Sequence, residues 1–185
     1  MQYRADMSLL CDPADCTLLI VDPQQRLMPA IQDGESVVRR CVQLATAARE
    51  LGIHVIGTEQ NPAGLGPLVP ELARLCDTTL AKFHFAATGE DGFLSRLPAG
   101  RSTVVVVGCE AHVCVLQTAI GLLASRHPVK WVSDAVGSRH PHSRLAATER
   151  ARGLGADIVT TEMVIFEWLR TSEHPSFRKL SQLIK

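Results

Sequence analysis

The sequence predicts an α/β protein: a three-layer α/β/α sandwich on a doubly wound parallel sheet of about six strands. Three observations predict it. Short aliphatic and β-branched runs recur along the chain, among them TLLIV at 17–21, HVIGT at 54–58 and TVVVV at 103–107. Segments of helical length and pattern separate them. Four consecutive valines are the pattern of a parallel strand buried on both faces. Strands separated by helices pair in parallel through right-handed crossovers.

Thr17–Val21 is the first strand and ends at Asp22. In Ser36–Leu51 the apolar positions Val37, Val38, Cys41, Leu44, Ala45 and Ala48 recur at three and four, which marks one buried helix face. Gly52 stops that helix at its C′ position. His54–Thr58 is the second strand. Pro and Gly make Gln60–Pro70 a loop, and a short helix follows at Pro70–Leu75. Thr78–Phe85 is a third, shorter strand, and Gly92–Leu97 a short helix. Thr103–Val107 is the fourth strand and Val113–Ala124 its helix. Pro128–Val132 is the fifth strand. The helix Ser143–Leu154 stops near Gly153 and Gly155. Asp157–Thr160 is the sixth strand, and Glu162–Arg170 and Phe177–Ile184 are terminal helices. No linker, repeat or low-complexity tract interrupts this order, so residues 1–185 read as one domain.

A chain of 185 residues buries roughly 70% of its unfolded surface and needs no staple. Its 19 basic and 19 acidic side chains balance to a formal net charge of zero. That implies no basic face, and so neither nucleic acid nor anionic lipid as a partner. The expected partner is a small-molecule substrate. No apolar run approaches the ~18 residues that span a membrane, and MQYRADMSLL at the N-terminus does not read as a signal peptide. Cys11, Cys16, Cys41, Cys76, Cys109 and Cys114 are dispersed, with no CxxC pair. Reduced thiols in a cytoplasmic protein are the expectation. In the helix around Cys114, Val113, Val115, Leu116, Ala119, Ile120, Leu122 and Leu123 leave almost no polar face. The same holds for MVIFEWL at 163–169. A helix apolar all round is covered on every side, which predicts a homo-oligomer.

Ionisable residues stand at the strand ends. Cys114 opens the helix after the fourth strand, beyond the turn at Gly108. The positive end of a helix dipole favours thiolate and lowers a cysteine pKa, and open α/β sheets place ligands beyond the carboxyl ends of their strands. These residues fit a nucleophile and fit equally a small buried apolar thiol. Asp22 before Pro23 also suits a turn. Lys82 also suits a solvated lysine, although its apolar neighbours Ala81, Phe83 and Phe85 imply a buried stem, and a buried lysine ordinarily has a carboxylate partner.

The order Asp22, Lys82, Cys114 resembles the isochorismatase-like cysteine hydrolases, a superfamily that includes nicotinamidases and N-carbamoylsarcosine amidohydrolases. The resemblance rests on IVDPQ at 20–24, TEQNPAGLGPLVPEL at 58–72, AKFHF at 81–85, GCEAHVCVLQTA at 108–119, SDAVGSR at 133–139 and HPSFRKLSQLIK at 174–185. It implies a Rossmann-like fold and hydrolysis of a small amide or carbamoyl compound through a Cys114 thioester. Asp22 would be the acid/base, and Lys82 the fixed positive charge between them. It implies a cis peptide bond at Cys109–Glu110, and an oxyanion hole from the backbone N–H groups of Glu110 and Cys114. Gln24, Leu27, Asn61 and Phe85 are expected to line the substrate pocket. Nicotinamidases hold a divalent metal through an Asp-x-His pair and a further His after strand two. The matching residues here are Glu59, Gln60, Asn61 and Pro62, so neither metal nor cofactor is expected. His112 reads as structural, and the His140/His142 pair has no third ligand. The alternatives are a vinyl-ether hydrolase, against which Cys114 argues, and an inactive oligomeric interaction module.

Overall fold

The structure, a computed structural model, describes residues 9–184. Most of the N-terminal stretch read for a signal peptide lies outside the described residues. The strands are β1 (Cys16–Val21), β2 (His54–Gln60), β3 (Thr78–Lys82), β4 (Thr103–Cys109), β5 (Val129–Gly137) and β6 (Asp157–Val159). They form one sheet in the order β3-β2-β1-β4-β5-β6, with every neighbouring pair parallel. β1 and β4 are buried along their whole length, which is why they read as unbroken apolar runs. The chain winds outward from β1 to β3, then returns to β4 and winds outward to β6. The switch lies between β1 and β4, where doubly wound sheets open a ligand crevice.

The helices are α1 (Gly34–Glu50), the one-turn α2 (Pro62–Leu65) and α3 (Pro70–Ala73), α4 (Leu116–Ala124), α5 (Pro141–Gly153), α6 (Thr161–Leu169) and α7 (Phe177–Leu183). The sheet divides two cores. On one face, Cys41, Leu44, Leu72, Trp168 and Leu180 of the helices meet Leu18, Ile20, Val105 and Val107. On the other, Leu116, Leu122, Ala147 and Ala151 meet Leu19, Val21, Val104 and Val106. Successive strand residues serve opposite cores, as the period of two requires.

The structure corrects several boundaries. β3 stops at Lys82, not Phe85, because the Lys82 ammonium donates back to the carbonyls of His84 and Phe85 and bends that segment off the sheet. β5 runs on to Gly137. Ser133 and Asp134 end the apolar run, but their side chains bond the Val159 carbonyl and Thr161, so the strand tolerates them. Residues Ala111–Val115 form a π-turn ahead of α4. Part of the 60–70 loop is the turn α2, and the expected helix at 92–97 is a 3-10 turn at Leu94–Arg96.

The chain itself covers part of α4. The sheet side buries Leu116, Ala119 and Leu122. The 3-10 turn Ala87–Gly89 closes on the helix so tightly that a Cβ on Gly121 would lie 1.9 Å from the Thr88 hydroxyl. Gln117 and Ala124 are exposed. Ile120 and Leu123 remain half-buried. Met163 and Phe166 remain exposed on α6.

Gly108 is the tightest point of the switch. Its φ is 117°, and a Cβ there would lie 2.1 Å from the Val21 carbonyl oxygen. Gly108→Ala should lower unfolding free energy by at least about 3 kcal/mol in denaturant titration, from backbone strain and overlap together. Gly153→Ala, where a Cβ meets nothing within 4 Å, should leave stability unchanged or slightly raised.

Candidate active site

Parallel register sets the carboxyl ends of β1, β2, β3 and β4 on one rim. Gln60 lies opposite Lys82 and Thr58 opposite Val21. Asp22 follows β1 with φ 55°, and its backbone N–H is fixed on the Thr58 carbonyl. Left-handed backbone turns the carboxylate inward, where it is fully buried. Lys82 is 1% exposed, and its Nζ lies 2.7 Å from Asp22 Oδ2.

Buried charges need partners on every side. The Lys82 ammonium also donates to Gln60 Oε1 at 2.7 Å, the Phe85 carbonyl at 3.0 Å and the His84 carbonyl at 3.3 Å. The Thr58 hydroxyl donates to Asp22 Oδ1 at 2.7 Å. The Oδ2 contact is an ion pair without hydrogen-bond alignment, so Oδ2 keeps a free acceptor position among the described residues.

Cys114 sits in the π-turn, buried, with Sγ 4.0 Å from Gln60 Oε1. The structure thus brings Asp22, Lys82 and Cys114 into one cluster, with Gln60 touching both ammonium and sulfur. The sequence expectation about the thiol itself needs correction. Its pKa is pushed up to about 12, first by burial and then by the Asp22 charge, with Lys82 opposing. A single turn of helix dipole does not outweigh desolvation. Cys114 therefore rests as a thiol, not a thiolate. The Cys109–Glu110 peptide bond is cis, and the Glu110 carboxylate accepts from the backbone N–H and Nε of Arg139.

The four expected pocket residues fare differently. Gln24 is fully buried. Its amide donates to the Gln60 and Gly66 carbonyls and accepts from the Gln60 N–H, so it pins the 60–66 loop and has no hydrogen left for a ligand. Leu27 is half-buried and packs toward α1. Asn61 and Phe85 are exposed beside Gln60 and Lys82. Two residues that sequence reasoning missed, Thr58 and Gln60, are the direct partners of the charged pair. The available signal was position: both lie at the end of the strand between those bearing Asp22 and Lys82. His112 bonds Ser138 Oγ at 3.0 Å, a structural contact.

The residues that replace the nicotinamidase metal ligands do not fit a divalent ion. Glu59 accepts from the Leu68 N–H, and the Gln60 amide is held between Lys82 and the Phe83 carbonyl. His140 and His142 stack on each other with centroids 5.4 Å apart.

Fold and rim together define a doubly wound α/β protein with a thiol, a carboxylate and an ammonium gathered beside its switch point. The chain belongs to the isochorismatase domain family, whose model matches residues 16–163. Isochorismatase domain-containing protein 1 of Salmo salar is 36% identical over 177 residues, covering 94% of this chain and 62% of that protein. The chain thus spans less than two thirds of that relative's length. The MAR1 ribonuclease structure from Caenorhabditis elegans superposes with a TM-score of 0.88 at 34% identity, covering 94% of this chain and 91% of that one. YcaC from Pseudomonas aeruginosa, solved with hexane-2,5-diol and covalent acrylamide, gives 0.85 at 25% identity, covering 97% and 99%.

Two measurements check this electrostatic picture. Alkylation of Cys114 in the ligand-free protein should show no plateau near neutrality. Its rate should climb from pH 9 toward 12, following the rise from 9.0 to about 12. A plateau reached by pH 7 contradicts a resting thiol. Second, Lys82→Met should cost about 3–5 kcal/mol in denaturant titration by stranding the buried carboxylate, and adding Asp22→Asn should recover part of it.

Proposed function

We propose that the protein is a cysteine hydrolase that cleaves a small amide or carbamoyl-type substrate through a Cys114 thioester. The observation that carries the reading is the buried Asp22–Lys82 pair at 2.7 Å, joined through Gln60 to the Cys114 sulfur. An acid, an ammonium and a thiol withdrawn from water at a sheet's switch point suit covalent catalysis better than they suit stability. A buried pair is weak evidence for stabilisation.

In this mechanism the resting thiol gives its proton to Asp22 as the sulfur attacks the carbonyl carbon, so base and nucleophile act together. The free position on Asp22 Oδ2 is the natural acceptor. The carbonyl oxygen becomes an oxyanion, held by the backbone N–H groups of Glu110 and Cys114; a donor of this kind contributes about 3–4 kcal/mol. Collapse breaks the C–N bond, and Asp22 returns the proton to the departing nitrogen. Water then attacks the thioester, losing its proton to Asp22, which passes it to the leaving sulfur. Lys82 stays paired with Asp22 at 2.7 Å as the fixed positive charge between these transfers. No cofactor enters any step. Asn61 and Phe85 border the opening and would contact the substrate.

The covalent acrylamide on the Pseudomonas aeruginosa relative is consistent with this chemistry, since acrylamide is an electrophile that thiols add to. The ribonuclease activity named for the Caenorhabditis elegans relative is less suited to this chain. Its balanced charge offers no excess of lysine and arginine for phosphate contacts. We also place the protein in the cytoplasm, its six cysteines all free, and expect a homo-oligomer that covers Met163 and Phe166. A monomer mass by light scattering at micromolar concentration removes the last point.

A panel of small amides and carbamoyl compounds, with one single-stranded RNA and one vinyl ether, tests the reading. Intact mass spectrometry should find an acyl adduct on Cys114, and Cys114→Ala should abolish both adduct and turnover. Turnover that survives Cys114→Ala rejects the covalent route. No adduct on Cys114 and no turnover with any member of the panel favours an inactive module.

A further inference from the structure

A pair of thiols lies at the opposite end of β1, away from the crevice. Cys11 and Cys16 are both fully buried, with their sulfurs 3.0 Å apart. That is about 1 Å longer than a disulfide bond. The surroundings are built around the two sulfurs. The buried Trp168 indole N–H makes no hydrogen bond among the described residues, and it favours the charged form of both thiols. The Cys11 backbone N–H donates to Glu167 at 2.6 Å. Lys130 sits beside the pair, its ammonium on the Leu9 carbonyl at 2.7 Å and Asp157 at 2.6 Å. None of these groups takes part in the chemistry proposed for Cys114.

We propose that Cys11 and Cys16 are a redox-active dithiol that closes to a disulfide with hydrogen peroxide as oxidant. Proximity makes the second step intramolecular across four intervening residues, so loop closure costs little. The two thiols are not equivalent. Either sulfur can donate to the other across the 3.0 Å contact, and that contact is the first cause that holds the Cys16 thiol below its ordinary pKa and Cys11 above it. Cys16 is therefore the attacking member and Cys11 the resolving one.

In the first step the Cys16 thiolate attacks one peroxide oxygen. The O–O bond breaks, hydroxide leaves and is protonated to water, and Cys16 carries a sulfenic acid. Cys11 then attacks the Cys16 sulfur. The S–S bond forms, the S–O bond breaks, and the departing hydroxide takes the Cys11 proton as a second water. Two thiols lose two electrons, and one peroxide becomes two waters. Peroxide is small enough to suit a shielded pair. Access follows lifting of the 9–15 segment, whose Leu9 and Leu10 side chains are already exposed. In a reducing compartment such a bond is transient.

The test is peroxide treatment of the full chain, with denaturing alkylation and peptide mapping over time. It is run on the native sequence and on Cys114→Ser, so that the crevice thiol does not compete. One tryptic peptide carries both cysteines. It should lose two hydrogens, escape alkylation and regain both thiols with dithiothreitol, about tenfold faster than Cys41 or Cys109 oxidise. Cys11→Ser should instead accumulate a dimedone-reactive sulfenic acid at Cys16, and Cys16→Ser should give none at Cys11. The proposal is overturned if the peptide stays fully alkylatable after Cys41 has oxidised, or if the two single variants behave alike. Because Cys114 is removed in one arm, failure here is distinct from failure of the hydrolase reading.

Discussion

The organising constraint of this molecule is a pair of opposite charges held out of water. Asp22 is fully buried and Lys82 1% exposed, 2.7 Å apart. Removing a carboxylate and an ammonium from water costs several kcal/mol each even after relaxation. Their mutual attraction offsets that only when the remaining donors and acceptors are also met. The local fold is arranged to meet them. Asp22 adopts left-handed backbone to aim inward, Thr58 covers one oxygen, and Gln60 with two carbonyls covers the ammonium. The early end of β3 is a consequence of the same demand.

Sheet order makes this possible. Because β2 lies between β1 and β3, its end supplies the neutral residues Thr58 and Gln60 between an acid on one side and a base on the other. Because β4 lies on the far side of β1, the π-turn after it brings Cys114 to the same cluster. Gly108 permits the closest approach, since only a residue without Cβ can sit against the Val21 carbonyl. Four chain segments distant in sequence thus converge through parallel register alone.

The same logic explains what could be read from the sequence. The strands β1, β2 and β4, the helix α1 and the parallel architecture follow from periodicity, because burial on one or two faces leaves a direct trace in side-chain type. Asp22, Lys82 and Cys114 were legible as ionisable groups at strand ends, and the family resemblance joined them. Gln24 and Gln60 were not separable. Both are polar residues next to strand ends, yet one clamps a loop and the other touches the ammonium and the sulfur. Only tertiary register tells them apart. The continuation of β5 through Ser133 and Asp134 was hidden because those side chains are satisfied by β6 and the start of α6, far along the chain. Part of the apolar character of α4 has a related cause: the 87–89 turn of the same chain closes on it at Gly121.

The thiol shows where local rules give way. A cysteine near a helix start, beside a lysine, should be acidic on both counts. Here the carboxylate of the neighbouring pair and exclusion from water reverse the sign. That reversal is compatible with the proposed catalysis because the carboxylate that raises the thiol's pKa also has an open acceptor position. A sulfur kept protonated until a substrate carbonyl is in place reacts little with stray electrophiles or oxidants. The same low-dielectric enclosure that suppresses the free thiolate strengthens every dipole aimed at an oxyanion once the crevice is filled. Reactivity would then belong to the occupied site rather than to the cysteine alone, and the selectivity of such an enzyme would be set by whatever fits between the sulfur and the exposed rim at Asn61 and Phe85.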